Sequence, residues 1–276
     1  MKTTNIITRN NSFQHFQVLK TNRKKRYQYK EFLVEGVRSI NKAVEKNWHI
    51  KSFLFGKDAC SDWAKNLLKT VQTEENYCLS KELLQELSGK TDTSELLAVI
   101  EMREDIVLDH YISENPFLVL FDRPSNKGNL GTLIRSCDAL GADLLIITGH
   151  SVDLYDPDVI VSAMGSFFNL PVIRISEQQK LWELIEKMKK NYPNFKTIGT
   201  TAHRQTPIYK VDFTTPVMLM IGNETMGLSQ TLKEKCDITC TVPMAEQSYA
   251  SSFNVSCAAS IMMYELTRQR SYDPLD

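Results

Sequence analysis

The sequence has no net charge: 33 Lys and Arg offset 33 Asp and Glu over 276 residues. Taken whole, it lacks the cationic excess with which a protein holds nucleic acid by bulk electrostatics. It also lacks any apolar run near the roughly 18 residues that a membrane-spanning helix needs. The longest such runs, at 117–121 and 144–147, are strand-sized. The N-terminal segment has no apolar export core, so a cytoplasmic chain making no membrane contact is expected. Eleven Gly and nine Pro are too few for collagen-like or low-complexity structure. None of the glycines forms G-x-G, which excludes the dinucleotide fingerprint. Neither G-x-S-x-G nor H-E-x-x-H occurs. The six Cys read as reduced thiols. The Cys236/Cys240 pair has no second Cys or His pair nearby to complete a zinc site, so no metal is expected.

What is present is ordinary in amount and uneven in placement. Hydrophobic residues make up 42% and charged residues 24%, enough apolar material for a globular core in one or two domains. The first 50 residues hold eleven cations and three acids, a net of +8, so the rest of the chain carries −8. The densest part runs from Lys20 to Lys30. It contains Arg23, Lys24, Lys25 and Arg26, interleaved further on with Tyr27 and Tyr29. Such a run can be a solvated face. The tyrosines favour RNA, because cations hold phosphate and rings stack on bases.

The periodicity predicts alternating strands and helices. Strand-like segments fall at 32–36, 51–56, 76–79 and 96–102, with helical ones at 37–47, 60–68 and 81–87. A polar stretch, 103–115, reads as a linker. Beyond it, strands are predicted at 116–122, 143–149, 195–202, 216–224 and 237–243. Helices are predicted at 130–140, from Pro157 to Met164, at 178–190 and at 254–268. This predicts a small α/β domain at 1–102 and a parallel sheet covered by helices at 116–276.

Three segments of the second domain stand at strand-to-loop or loop-to-helix junctions, where parallel sheets bind ligands. They are RPSNKGNLGTLIRSCDALGAD (123–143), LMIGNETMGLS (219–229) and TVPMAEQSYASSFNVSCAASIMMYE (241–265). Gly222 and Gly227 have P-loop spacing, but Leu228 stands where a P-loop needs Lys, which excludes an NTPase. In this order, N-L-G-x-x-x-R, G-N-E-x-x-G-L-S and V-P-M…S-x-N-V-S-x-A…Y-E resemble the three signature motifs of the SpoU (TrmH) family. These are RNA 2′-O-ribose methyltransferases of the SPOUT superfamily. The resemblance covers about 116–270. More loosely, the N-terminal part resembles the small α/β RNA-binding domain that often precedes this catalytic domain.

The resemblance implies a parallel α/β sheet with a C-terminal trefoil knot, S-adenosyl-L-methionine as cofactor, and a homodimer. It implies catalytic roles for Asn129, Arg135, Glu224 and Asn254. Cofactor contacts would fall at Thr200, Gly222, Leu228, Val242, Met244 and Phe253, and RNA contacts at Arg23, Lys24, Lys25 and Arg26. Simpler readings stand beside these. Asn129 and Asn254 could be helix N-caps, Glu224 could pair with a Lys, and Arg135 could extend to water from a helix flank. Gly222 and Gly227 read as positions where backbone approaches a ligand closely. Two departures from the family pattern occur: Phe253 replaces the usual Leu, and the loop 245–251 is longer and lacks the usual Gly. The expected activity is methyl transfer to a ribose 2′-hydroxyl of RNA. Ribosomal RNA is the leading substrate, with an antibiotic-resistance type as a narrower variant. The alternatives are tRNA and a non-catalytic RNA-binding or ribosome-assembly paralogue.

Overall fold

The computed structural model describes residues 2–57, 60–88, 94–103, 108–203 and 205–270. The chain forms β1 (Thr3–Ile6), α1 (Asn11–Thr21), α2 (Arg23–Tyr29), β2 (Glu31–Glu35), α3 (Val37–Glu45), β3 (Ile50–Gly56), α4 (Asp62–Thr70), β4 (Asn76–Leu79), α5 (Lys81–Ser88) and β5 (Leu96–Glu101). It continues through β6 (Phe117–Asp122), α6 (Lys127–Ala139), β7 (Leu144–Thr148), α7 (Pro157–Ala163), β8 (Val172–Ile175) and α8 (Gln178–Asn191). The last elements are β9 (Lys196–Thr200), β10 (Thr206–Pro207), β11 (Val217–Ile221), α9 (Gln230–Lys235), β12 (Ile238–Thr241) and α10 (Val255–Gln269). Two compact units share them: residues 1–105 with 153–169, and 106–152 with 170–276. Helix α7 therefore belongs to the first unit, although it lies between β7 and β8 in the chain. Residues 104–107 of the expected linker lie outside the described residues.

The first unit is built on a five-stranded sheet of order β1-β4-β3-β5-β2. Strands β1, β4 and β3 run parallel, while β5 is antiparallel to both β3 and β2. The basic stretch is helical, in the end of α1 and in α2. Phe13, Phe16 and Leu19 are buried from α1 and join Leu33, Leu54, Leu97 and Val99 of the sheet and Leu83, Leu84 and Leu87 of α5. The Asn22 side chain accepts from the Lys25 N–H and so starts α2 directly after α1. Phe32 of β2 meets a second cluster, Tyr155, Phe167 and Phe168, with ring centroids 4.9–6.3 Å away.

Arg26 is 2% exposed. Its Nε donates to Asp153 at 2.8 Å, Nη2 lies 3.3 Å from Asp156, and Nη1 donates to the carbonyls of Leu19 and Lys20 at 2.8 and 3.0 Å. Asp156 in turn caps α7 ahead of Pro157. A buried guanidinium with each face paired holds α1, α2 and the 153–169 segment together. The expected RNA contact at Arg26 is thereby corrected: no phosphate can reach a side chain already enclosed by two carboxylates.

The second unit is a seven-stranded, wholly parallel sheet of order β10-β12-β9-β11-β6-β7-β8. Strands β6, β7 and β11 are buried along their whole length, as the near-continuous apolar runs predict. Leu118, Leu120, Leu144, Ile146, Met218 and Met220 pack with Leu181, Leu184, Ile185 and Met188 of α8 and Leu232 of α9. Helices α6 and α10 pack on each other. There the Ser136 and Ser260 hydroxyls are 2.8 Å apart and the Cys137 thiol meets Met263. Helix α6 starts three residues before the predicted 130, because Asn126 accepts from the Asn129 N–H and caps it earlier. Strands β1, β8 and β10 are too short for a two-residue period to stand out.

Replacing one partner of a buried ion pair leaves the others uncompensated. Arg26→Ala should lower the unfolding free energy by about 3–5 kcal/mol. Lys24→Ala, on the exposed side of the same helix, should stay within about 0.5 kcal/mol of the wild type. Urea denaturation of the two variants checks the contrast, and equal midpoints would refute it.

Candidate active site

The chain order reverses at β6: β7 and β8 lie to one side of it and β11 to the other. In open parallel sheets the crevice beyond the carboxyl ends at such a point receives ligands. Asp122 ends β6 there and is 3% exposed. Its Oδ1 accepts from the Thr148 hydroxyl at 2.8 Å. Its Oδ2 accepts from the Ser229 N–H at 2.8 Å and from Arg123 Nε and Nη2 at 3.0 and 2.9 Å. Arg123 Nη2 also donates to the Gly227 carbonyl at 2.9 Å, while the Asn223 amide donates to the Arg123 carbonyl at 2.7 Å. The first and second motif loops are thus tied together in both directions. The sequence reading named neither Asp122 nor Arg123 nor Asn223. The signal available was the charged pair that ends an otherwise apolar β6.

Within the second loop, Asn223 Oδ1 accepts from the N–H groups of Thr225 and Met226 at 3.0 and 2.9 Å. The loop closes so tightly that a Cβ on Gly222 would lie 2.3 Å from the Leu228 nitrogen and 2.4 Å from the Gly227 carbonyl carbon. Gly222 therefore admits the chain's own backbone, where close approach to a ligand was expected. Gly227 serves by conformation, at φ +66° with nothing near its missing Cβ.

Three of the four expected catalytic residues meet. Glu224 Oε2 accepts from the Ser125 N–H at 3.0 Å and its hydroxyl at 2.7 Å, and Oε1 accepts from the Asn126 N–H at 3.0 Å. The Asn129 amide lies 3.4 Å from Glu224 Oε1, and the Asn254 amide donates to Asn129 Oδ1 at 3.1 Å. Asn254 is at the same time the N-cap of α10, accepting from the Ser256 and Cys257 N–H groups. Asn129 lies inside α6, and Asn126 is that helix's cap. Burial pushes the Glu224 carboxyl upward, but the Ser125 hydroxyl and the N–H groups around it outweigh burial and hold it below the usual Glu range. Arg135 is not part of this chain of bonds. It is exposed on α6, about 9 Å along the axis from Asn129, and Glu224 orients the Ser125–Asn126 loop instead of Arg135.

Beside this network lies a cleft of about 310 Å³. Thr200, Gly222, Leu228, Val242, Met244 and Phe253, all six positions named from the sequence, line it together with Glu224 and Lys233. The walls combine apolar side chains (Met226, Leu228, Val242, Met244, Phe253, Met262) with hydroxyl groups, the Lys233 cation and the Glu224 carboxylate, which is held below its ordinary range. That chemistry fits a nucleoside bearing a positive sulfonium. Phe253 stands 41% exposed on the lining, so the departure from Leu still places an apolar surface there.

In the first unit, Arg23 lies 5.8 Å from the centre of the Tyr27 ring and Lys25 lies 5.6 Å from that of Tyr29. Lys24 and both rings are exposed, which leaves cations and aromatic faces on α2 once Arg26 is set aside. Among the described residues, no group of three His, Cys, Asp or Glu could hold a metal ion. No helix among them is long and apolar enough to cross a membrane.

The model of the SpoU rRNA Methylase family matches residues 116–264, and that of the SpoU L30e-like domain matches 10–98. The chain is 43% identical over 268 residues to a 23S rRNA (uridine(2479)-2′-O)-methyltransferase of Streptomyces viridochromogenes, covering 96% of this chain and 92% of the relative. It is 28% identical over 244 residues to the 23S rRNA (guanosine(2553)-2′-O)-methyltransferase RlmP of Bacillus subtilis, covering 88% and 91%. The crystal structure of the SpoU methyltransferase AviRb from Streptomyces viridochromogenes in complex with AdoMet superposes with a TM-score of 0.88 at 42% identity. That match covers 95% of this chain and 98% of the other.

Gly222→Ala must displace backbone, so it should cost about 1–3 kcal/mol of stability by overpacking and lose the cleft, as read by thermal unfolding and ligand calorimetry. Because Glu224 titrates below its ordinary 4.5 in the folded chain, its contribution is full above that pH and is lost as pH falls through the lower folded value. The stability gap between wild type and Glu224→Gln should therefore be open at neutral pH and close in acid. A gap that widens below pH 4 would contradict this.

Proposed function

Because the chain belongs to the SpoU rRNA methylase family, we propose that it transfers a methyl group from S-adenosylmethionine to a ribose 2′-hydroxyl of 23S ribosomal RNA. The observation that carries this is the cleft lined by the second and third motifs, with the first motif joined beside it through the Glu224–Asn129–Asn254 chain. Near-full-length similarity to a 23S rRNA 2′-O-methyltransferase supports ribosomal RNA over tRNA. The bonded network argues against a paralogue that has lost catalysis, since such a chain has no need of a carboxylate held ionised at the edge of the cleft.

When bound, the cofactor supplies an electrophilic methyl group. Main chain at Gly222 and Val242, with Leu228, Met244 and Phe253, would hold its nucleoside in the apolar part of the cleft, and Glu224 would favour its positive charge. Asn254 and Asn129, each fixed by the other, would position the ribose. A guanidinium ordinarily keeps its proton, so Arg135 acts by anchoring the target nucleotide and stabilising the charge that develops on its oxygen. Its exposure suits a residue that meets a large substrate arriving from outside. Arg23, Lys24 and Lys25 would hold phosphate. A homodimer, a knotted C-terminal segment and a cytoplasmic site of action belong to the same proposal. The threading is supported by the strand order, in which β11 enters between β9 and β6, and β12 between β9 and β10.

Mapping of 2′-O-methyl sites in total RNA with and without the protein tests the reaction. One new site in 23S rRNA is expected, and none in any RNA would refute it. Arg135→Ala should abolish transfer of tritiated methyl while cofactor affinity by calorimetry is retained. Unchanged turnover removes Arg135 from the mechanism. Reversal of Arg23, Lys24 and Lys25 to Glu should weaken RNA binding and flatten its salt dependence, with cofactor affinity unaltered.

A further inference from the structure

The first unit contains a separate cavity of about 270 Å³, lined by Asn11, Ser12, His15, Phe16 and Tyr77. Phe16, 3% exposed, forms its floor. Tyr77 meets Phe16 edge-on with centroids 5.0 Å apart, and His15 lies 5.9 Å from Phe16 on the other side. The row continues outward, since His15 is 4.6 Å from Tyr29 and Lys25 stands over Tyr29. A line of rings thus leads from Lys25 of α2 into a shallow pocket that is open to solvent.

The polar groups divide into committed and free. Glu31 is taken up by His15 at 2.7 Å and Lys51 at 2.6 Å. Glu75 accepts from Lys2 at 2.8 Å, Thr4 at 2.6 Å and the Tyr77 hydroxyl at 3.1 Å. By contrast, the Asn11 amide and the Ser12 hydroxyl have no hydrogen-bond partner among the described residues. An amide offers both a donor and an acceptor, the complement of a nucleobase edge. Unspent carboxylates are absent from the lining and so is any lysine, so the pocket suits a neutral ring better than a phosphate.

We propose that this cavity binds one unpaired nucleobase of the RNA substrate, which deepens the function above and rests on RNA being the substrate. The ring lies against His15 and Tyr77, its edge on Asn11 and Ser12, and the attached phosphate lies toward Lys25. Stacking tolerates any base, because each has a π-face. The pocket therefore gives the first unit a grip on single-stranded RNA that depends on bases as well as on charge.

Fluorescence anisotropy of the full chain with a mixed-sequence single-stranded oligoribonucleotide and an abasic ribose-phosphate oligomer of equal length tests this. The wild type should bind the base-bearing probe about tenfold or more tighter. Ser12→Phe, which plugs the cavity from the helix surface, should remove that preference without changing affinity for the abasic probe. Asn11→Ala should reduce it. Lys25→Glu should weaken both probes alike. Equal binding of the two probes by the wild type, or an unaltered preference in a Ser12→Phe protein with wild-type melting, overturns the proposal. Methyl transfer to 23S rRNA is measured in parallel. A base preference without transfer would refute the enzymatic reading and leave the pocket standing.

Discussion

The second unit depends on a buried carboxylate at the end of its central strand. Asp122 takes hydrogen bonds from β7, from the start of α9 and from the residue that follows it in the chain. A carboxylate out of water is costly unless its lone pairs are satisfied, and here Thr148, Ser229 and Arg123 supply the donors. The consequence is geometric. Arg123, bent into the left-handed region at φ 52°, reaches the Gly227 carbonyl, and Asn223 returns the bond to the Arg123 carbonyl. Two loops a hundred residues apart in sequence are fixed against each other, and the cleft exists because they are.

The carboxylate of Glu224 repeats this logic one step outward. It gathers three donors from Ser125 and Asn126, and through Asn129 it connects to the N-cap of α10. A residue that begins a helix thereby also closes the site, so the choice between cap and functional group for Asn254 is resolved in favour of both. In the first unit, Arg26 plays the part that Asp122 plays in the second, a buried charge surrounded by opposite charge and carbonyl oxygens. Its neighbours Lys24 and Lys25 stay outside. A run of four cations on a short helix necessarily points in different directions, so one enters the core and the rest face solvent.

Much of this was legible in the sequence. The apolar runs of β6, β7 and β11 and the 3.6-residue period of α8 follow from burial on two faces or one stripe, and need no tertiary knowledge. The second and third motifs gave the cleft walls through the family resemblance that they carry. The helices over 11–29 are not legible in the sequence, because three buried apolar residues in nineteen are swamped by charge. The antiparallel β5 escaped for another reason: strand direction is set by the connection and not by the strand's own residues. The placement of 153–169 in the first unit escaped because it depends on Asp153 and Asp156 finding Arg26 more than a hundred residues away.

The sequence by itself determined the element types, the parallel core of the second unit, the motif positions and an uneven charge that sums to zero. Those properties are local or compositional, carried by periodicity and residue type. The tertiary structure alone decided which charges are available and which are consumed, that Gly222 accommodates its own chain, and that Asn129, Glu224 and Asn254 share hydrogen bonds while Arg135 stands apart. The hydrogen bonds among these depend on groups distant in sequence arriving within about 3 Å. No pattern along a single chain encodes that distance directly.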